Sequence, residues 1–179
     1  MKIAYFTDTF YPEINGVANT LRILSNYLNK TKTEHIFFAP EYNQDDFAEI
    51  KSQVIRFKSI KSNLYAECRL SFPLYSLHKS KIEAFRPDVI HITTPLGIGY
   101  LGLKYAKEYN IPVVMSYHTN FDVYMQYYNL EHLENIFWSY IKWFYGKADL
   151  VLCPSVNTLN ALAEKNIKNL DVWSRGVDT

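Results

Sequence analysis

The stretch that constrains the fold most runs from Lys2 to Leu28. It opens with a short apolar run, Ile3 to Phe6, which is too short for a helix and predicts a buried strand. A polar turn that contains Pro12 follows. Gly16 then begins a stretch whose apolar residues recur at helical spacing. The pattern therefore predicts a strand, a turn, a glycine and a helix.

Gly16 stands where this helix would begin, and two explanations for it are open. The first N–H groups of a helix have no partner within the helix and lie at the positive end of its dipole, so they attract anions. A glycine there lets a phosphate approach without a Cβ in the way. Alternatively, the glycine only relaxes a tight turn, and the local pattern does not distinguish these explanations.

Length and composition favour one soluble globular domain. The chain has 179 residues, 48% of them hydrophobic, and a net charge of +1, which gives no reason to expect a nucleic-acid partner. Its two cysteines, Cys68 and Cys153, lie far apart and indicate neither a disulfide framework nor a zinc site. No apolar run approaches the roughly 20 residues of a membrane-spanning helix. Because the first strand begins at residue 2, we expect no signal peptide.

Beyond the first helix, strands and helices continue to alternate. The predicted strands cover 35–40, 54–57, 88–92, 113–117, 148–153 and 171–173, and the predicted helices 71–85, 97–109, 121–145 and 155–165. We expect 58–70 to be irregular and 54–57 to lie near a sheet edge, since Arg56 interrupts it. Wholly apolar strands that alternate with helices predict an α/β fold, a Rossmann-like doubly wound parallel sheet with its ligand at the carboxyl ends of the strands.

Polar residues follow four of the predicted strands and would line one crevice. They are Thr7, Asp8, Thr93, Thr94, His118, Thr119 and Ser155. The dinucleotide fingerprint GxGxxG and the P-loop are both absent after the first strand, which argues against an NAD enzyme and a nucleotide triphosphatase. His118 is placed to hydrogen-bond a sugar hydroxyl or accept a proton, although a structural histidine at a strand end is the alternative. We expect His91 to lie in the core and His35 to be solvated.

Two surface features suggest a membrane and also have simpler explanations. Residues 51–69 carry five cations against Glu67 alone: Lys51, Arg56, Lys58, Lys61 and Arg69. This basic flank fits anionic lipid headgroups or an ordinary solvated face. The aromatic segment at 124–145 also fits a lipid interface, but Trp138, Ile141 and Tyr145 share helical spacing, which favours a core position.

Five blocks of the sequence read FTDTFYPEINGVANTLRILSNYL, RPDVIHITTPLGIGYLGLKYAK, IPVVMSYHTNFDVY, ADLVLCPS and WSRGVDT. In this order they resemble the family-4 retaining glycosyltransferases of the GT-B fold. The resemblance covers nearly the whole chain. It is strongest to the lipid-glycosylating branch, which includes the diacylglycerol glucosyl- and sulfoquinovosyltransferases and the phosphatidylinositol mannosyltransferases.

This resemblance implies that residues 1–173 form the amino-terminal, acceptor-side domain and that 174–179 begin a linker. We expect these 179 residues to lack the family's carboxyl-terminal donor-binding domain and therefore to have little or no activity alone. The donor would be a nucleoside-diphosphate sugar, used without a metal or another cofactor. We expect a cytoplasmic location, at the inner face of the membrane if the acceptor is a lipid.

The resemblance also implies site residues. Asn15, Gly16 and Val17 would contact the donor diphosphate, and His118 would position the transferred sugar and the acceptor. We expect the acceptor to be held by Asp8, Tyr11, Thr94, Thr119 and Tyr124. The alternatives are an enzyme that acts on a polysaccharide or another soluble acceptor, a related epimerase-like enzyme, and a non-catalytic module that binds a sugar or phosphate.

Overall fold

The structure, a computed structural model, describes residues 1–42, 50–61, 69–73, 78–118 and 134–174. Its strands are β1 (Lys2–Phe6), β2 (Glu34–Pro40), β3 (Gln53–Phe57), β4 (Ser59–Lys61), β5 (Arg69–Ser71), β6 (Val89–Ile92), β7 (Val113–Ser116), β8 (Leu150–Cys153) and β9 (Leu170–Val172). Its helices are α1 (Gly16–Lys30), α2 (Lys79–Phe85), α3 (Gly97–Tyr109), α4 (Glu134–Tyr145) and α5 (Val156–Glu164).

In the described part of the chain, seven strands form one parallel sheet in the order β3-β2-β1-β6-β7-β8-β9. The chain builds outward from β1 to β3 on one side and from β6 to β9 on the other. The strand order therefore reverses between β1 and β6. In open parallel sheets such a switch point is where ligands bind, outside the carboxyl ends of the strands.

Helices cover both faces of the sheet because successive side chains of each strand point to opposite faces. Tyr5 and Phe37 pack with the apolar side of α1, where Leu21 is fully buried. Phe6 and Phe38 belong to the larger core on the other face, with residues of the remaining helices. The predicted doubly wound α/β fold is confirmed.

Close packing of α3 explains one of its glycines. A Cβ placed on Gly102 would lie 2.8 Å from the Cγ atom of Phe6 in the neighbouring strand β1. The helix thus packs directly on the sheet, and its first turn lies at the carboxyl ends of the strands.

The core positions predicted within the aromatic segment are confirmed, whereas Tyr140 and Trp143 of the same helix are exposed. Trp138, Ile141 and Tyr145 of α4 are all buried. The predicted helix at 121–145 is described only from Glu134 onward, and its earlier part lies outside the described residues.

Two predictions between β3 and β6 were wrong. The helix expected at 71–85 begins at Lys79, and Ser71 instead ends strand β5. The segment expected to be irregular contains an antiparallel pair, β4 with β5, in which Ile60 faces Leu70. Strands of three residues are too short to show an alternating pattern, so sequence periodicity did not reveal them.

Candidate active site at the carboxyl edge of the sheet

Asp8 occupies the switch point, directly after β1, and ties it to the start of α3. One carboxylate oxygen accepts hydrogen bonds from the Thr94 hydroxyl (2.8 Å) and the Gly99 N–H (3.2 Å), and the other accepts from the Ile98 N–H (2.8 Å). The Asp8 N–H in turn donates to the Thr94 hydroxyl oxygen at 2.7 Å. A carboxylate is favourable here because the helix start carries unpaired N–H groups and a positive partial charge.

Burial and hydrogen bonding act on Asp8 in opposite directions. The side chain is fully buried, which raises the pKa of Asp8 to about 6, while the three donated hydrogen bonds lower it. Asp8 and Thr94 therefore act in this structure as positioning residues for the β1 and β6 ends. Their predicted contact with the acceptor stays a prediction.

The loop between β1 and α1 is closed by hydrogen bonds that define the helix start. The Asn15 side-chain oxygen accepts from the Ala18 N–H at 2.8 Å and so caps α1. The Asn15 amide group donates to the Thr9 hydroxyl at 2.8 Å. By helix geometry, the N–H groups of Gly16 and Val17 have no carbonyl partner within the helix, and they point out of its first turn.

The backbone of Gly16 does not explain why a glycine is present. Gly16 is exposed, and none of the glycines in the described residues has a positive φ. A residue with a Cβ would therefore fit this backbone without strain. Relief of backbone strain thus loses its basis as an explanation, and the predicted contact of Gly16 with a donor diphosphate stays a prediction.

Arg56 is a positioning residue that sequence reasoning assigned to a surface. Its guanidinium donates to the Pro40 carbonyl and to the Tyr11 carbonyl, each at 2.9 Å, and lies 5.4 Å from the centre of the Phe10 ring. It thereby fixes the β1–α1 loop to the ends of β2 and β3. Burial lowers the pKa of Arg56 to about 10, at which it stays charged at neutral pH.

The predicted basic flank is therefore smaller than its sequence suggests. Arg69 also turns inward, with its guanidinium 5.0 Å from the centre of the buried Tyr42 ring. Its backbone N–H donates to the Asp8 carbonyl at 3.1 Å. Lys51, Lys58 and Lys61 remain exposed.

His118 follows β7 at the same edge of the sheet as Gly16. Since β6 lies between β1 and β7, and neighbouring strands lie about 4.8 Å apart, the ends of β1 and β7 are about 10 Å apart. The His118 ring is half-buried, with its centre 6.0 Å from that of Trp173. The expected convergence of strand-end residues on one edge is thus confirmed for Asp8, Thr94 and His118.

The remaining predicted residues differ in how far they are described. Tyr11 is half-buried and packs beside the α1 cluster. Thr119 and Tyr124 lie outside the described residues, so their role stays a prediction. Within the described ranges, no three His, Cys, Asp or Glu side chains group as they would around a metal ion.

The fold and this site define the class of protein first: a Rossmann-like domain with an exposed helix start and a histidine at the carboxyl ends of its strands. Among solved structures, sucrose-phosphate synthase from Thermosynechococcus elongatus superposes with a TM-score of 0.68 at 15% identity, over 99% of this chain and 49% of that one. At this identity the likeness shows the fold alone.

Residues 14–179 match the family described as Glycosyltransferase Family 4, and the chain belongs to that family. It is 27% identical to a GDP-mannose-dependent alpha-mannosyltransferase of Mycobacterium tuberculosis, over 99% of this chain and 48% of that protein. It is 28% identical to an alpha-monoglucosyldiacylglycerol synthase of Streptococcus pneumoniae, over 94% of this chain and 38% of that protein. The chain thus spans less than half the length of these relatives. The second of them is named for a diacylglycerol product, as in the lipid-glycosylating branch expected from the sequence.

Proposed function

We propose that the whole protein is a retaining glycosyltransferase that moves a hexosyl group from a nucleoside diphosphate to an acceptor hydroxyl. This chain is its acceptor-side domain. One observation carries the proposal. In a family-4 chain, the exposed helix start at Gly16 and His118 both lie at the carboxyl ends of the strands of one parallel sheet. The first element suits a departing diphosphate, and the second suits a sugar or acceptor hydroxyl.

Each group has one task in this proposal. The N–H groups of Gly16 and Val17, with α1 oriented by Asn15, stabilise the charge that develops on the diphosphate as its bond to the sugar C1 breaks. His118 orients the acceptor hydroxyl whose oxygen forms the new bond to C1, and the hydroxyl proton passes to an oxygen of the departing diphosphate. Asp8 and Thr94 hold the β1 and β6 ends so that these groups keep their separation.

The acceptor we propose is a membrane lipid, as in the relative named for diacylglycerol. A second observation supports it. The β4–β5 hairpin exposes three apolar side chains next to two exposed lysines, a set that we call the hairpin patch: Ile60, Leu70, Phe72, Lys58 and Lys61. Ile60, Leu70 and Phe72 are 54%, 45% and 65% exposed.

The position of the hairpin patch relates it to the site. The Arg69 N–H of this hairpin donates to the Asp8 carbonyl at 3.1 Å. Ile60, Leu70 and Phe72 share one face of the hairpin with the exposed Lys58. Apolar side chains beside an exposed lysine suit the boundary of an anionic bilayer, so a lipid held there would lie beside the switch point. Among the described helices, none has the length and apolarity to cross a membrane. We propose peripheral binding at the cytoplasmic face.

The proposal is tested by assaying the whole protein with a panel of nucleoside-diphosphate hexoses and mixed membrane lipids. We expect hexosyl transfer to a lipid, and we expect His118→Ala to lower turnover by at least about tenfold because a positioned group is lost. His78→Ala, at the start of α2, is the matched control and should keep the wild-type rate. Transfer only to soluble glycans would reject the lipid acceptor, and a near wild-type rate of His118→Ala would reject the role of His118.

A further inference from the structure

A series of ring contacts crosses one face of the sheet and ends at His118. Successive ring centres are 4.7 Å apart for Phe10 and Phe37, 4.8 Å for Phe37 and Tyr5, and 5.1 Å for Tyr5 and His91. The series continues from His91 to Trp173 at 6.0 Å and from Trp173 to His118 at 6.0 Å. All these separations are within the range of favourable aromatic contacts.

In this series, the side chain of His91 is held by both burial and a hydrogen bond. It is buried, and its Nε2 atom lies 2.6 Å from the hydroxyl of the fully buried Ser116. The Ser116 carbonyl accepts from the Tyr145 hydroxyl at 3.2 Å, which ties β7 to α4. Burial lowers the pKa of His91 to about 4, so the ring is neutral at physiological pH.

Trp173 lies between His91 and His118 in this series and contacts both rings. Its backbone N–H donates to the Cys153 carbonyl at 2.8 Å, which continues the pairing of β9 with β8 past the end of the strand. Its half-buried indole contacts the rings of His91 and His118 at interplanar angles of 57° and 59°. An indole is large and has only two side-chain torsions, so little conformational entropy is lost when it is held in one position against the two imidazoles.

We propose that Trp173 is a positioning residue that fixes the His118 imidazole for the transfer reaction. The contact between the Trp173 indole and the buried His91 ring holds Trp173 in place. The inference rests on the proposed function, since it assigns to Trp173 an effect exerted through His118. A purely structural tryptophan would instead affect folding and would act on the rate independently of His118.

The test is a double-mutant cycle in the whole protein, with Trp173→Leu, His118→Ala and the pair. We expect Trp173→Leu to lower kcat at least about fivefold with little change in the donor KM, because positioning is lost rather than binding. In the His118→Ala background the same substitution should lower kcat by less than about twofold. Trp173→Phe, which keeps a ring, should recover most of the loss.

The matched control is Trp143→Leu, a tryptophan of α4 that is 47% exposed and stacks on Tyr100. It should leave kcat unchanged. Thermal melting identifies any variant that is unfolded at the assay temperature, and if Trp173→Leu is, Trp173→Met replaces it in the cycle.

The outcomes separate the two proposals. If His118→Ala loses activity but the losses of the two single variants multiply in the pair, the role of Trp173 is overturned and the proposed function stands. The same holds if Trp173→Leu behaves like the control. If His118→Ala keeps the wild-type rate, the role of His118 fails and that of Trp173 fails with it.

Discussion

Asp8 combines full burial with a negative charge at the start of α3, and its environment should be visible in the pH dependence of stability. The pKa of Asp8 is raised to about 6 from 3.8, so the folded protein holds this proton more tightly than the unfolded chain. The free energy of unfolding contributed by Asp8 is therefore largest below about pH 4 and falls as the pH rises through about 6.

We expect Asp8→Asn to remove the contribution of Asp8 to the pH dependence of the unfolding free energy. The difference in unfolding free energy between wild type and Asp8→Asn, measured by urea denaturation, should shrink as the pH rises from 4 to 6. Wild type should still be more stable at pH 7, by about 1–3 kcal/mol, because an asparagine leaves one N–H of α3 without an acceptor. Asp171→Asn, at an exposed position, should follow the wild-type slope. An identical slope for Asp8→Asn would contradict the raised pKa.

Gly16→Ala separates the two explanations for the glycine. Because Gly16 lies at the exposed start of α1, alanine should leave stability unchanged or raise it by up to about 1 kcal/mol. The added Cβ should nonetheless raise the KM for the sugar nucleotide at least about fivefold in the whole protein, since it stands where a diphosphate would approach. Asn26→Ala, exposed on the same helix, is the control. An unchanged KM would remove Gly16 from the donor site.

At the scale of elements, the site depends on how the β1–α1 loop is fastened to the neighbouring strands. Arg56 reaches two carbonyls from a flat, forked side chain, and it stacks between Phe10 and Tyr42. An ammonium group cannot reproduce two divergent hydrogen bonds and a planar stack.

Arg56→Lys should therefore lower the free energy of unfolding by about 1–3 kcal/mol and raise the donor KM, although the charge is kept. Lys58→Ala, its exposed neighbour, should be near neutral in both measurements. Denaturant unfolding and donor saturation curves would check this. If Arg56→Lys behaves like wild type, the loop does not depend on the guanidinium.

At the scale of the whole molecule, a backbone hydrogen bond from Arg69 to Asp8 joins the hairpin that carries the hairpin patch to the switch point. A protein bound to a membrane through this patch would therefore hold its candidate active site beside the lipid surface. We expect the whole protein to sediment with vesicles of phosphatidylglycerol and phosphatidylcholine. Binding should weaken as salt rises, because screening reduces the attraction of exposed lysines to the anionic lipid.

Ile60→Ser and Phe72→Ser should each lower the vesicle-bound fraction, since each removes apolar area that would enter the bilayer boundary. Tyr27→Ser, on α1 and 61% exposed, is the matched control and should bind like wild type. Equal binding by the hairpin variants and the control would place the membrane contact elsewhere.

The sequence predicted the elements whose cause is local. The helix Gly97–Tyr109 was placed correctly, and the helix predicted at 155–165 is present as α5, capped by the Ser155 hydroxyl, which accepts from the Thr158 N–H. The third strand lies at the sheet edge, as Arg56 suggested. His35, in contrast, was expected to be solvated and is half-buried, with Nε2 2.6 Å from the Ser52 hydroxyl.

What the sequence determined by itself was the α/β class, the strand-end positions of the site residues and the family, because residue periodicity and motifs act over short stretches of chain. The tertiary structure alone decided which side chains meet. Asp8 and Thr94 are 86 positions apart, and Arg56 and Tyr11 are 45 apart. Such contacts depend on strand order and register, which no local pattern encodes. For that reason the structural tasks of Asp8, Arg56 and Trp173 emerged only from the folded chain.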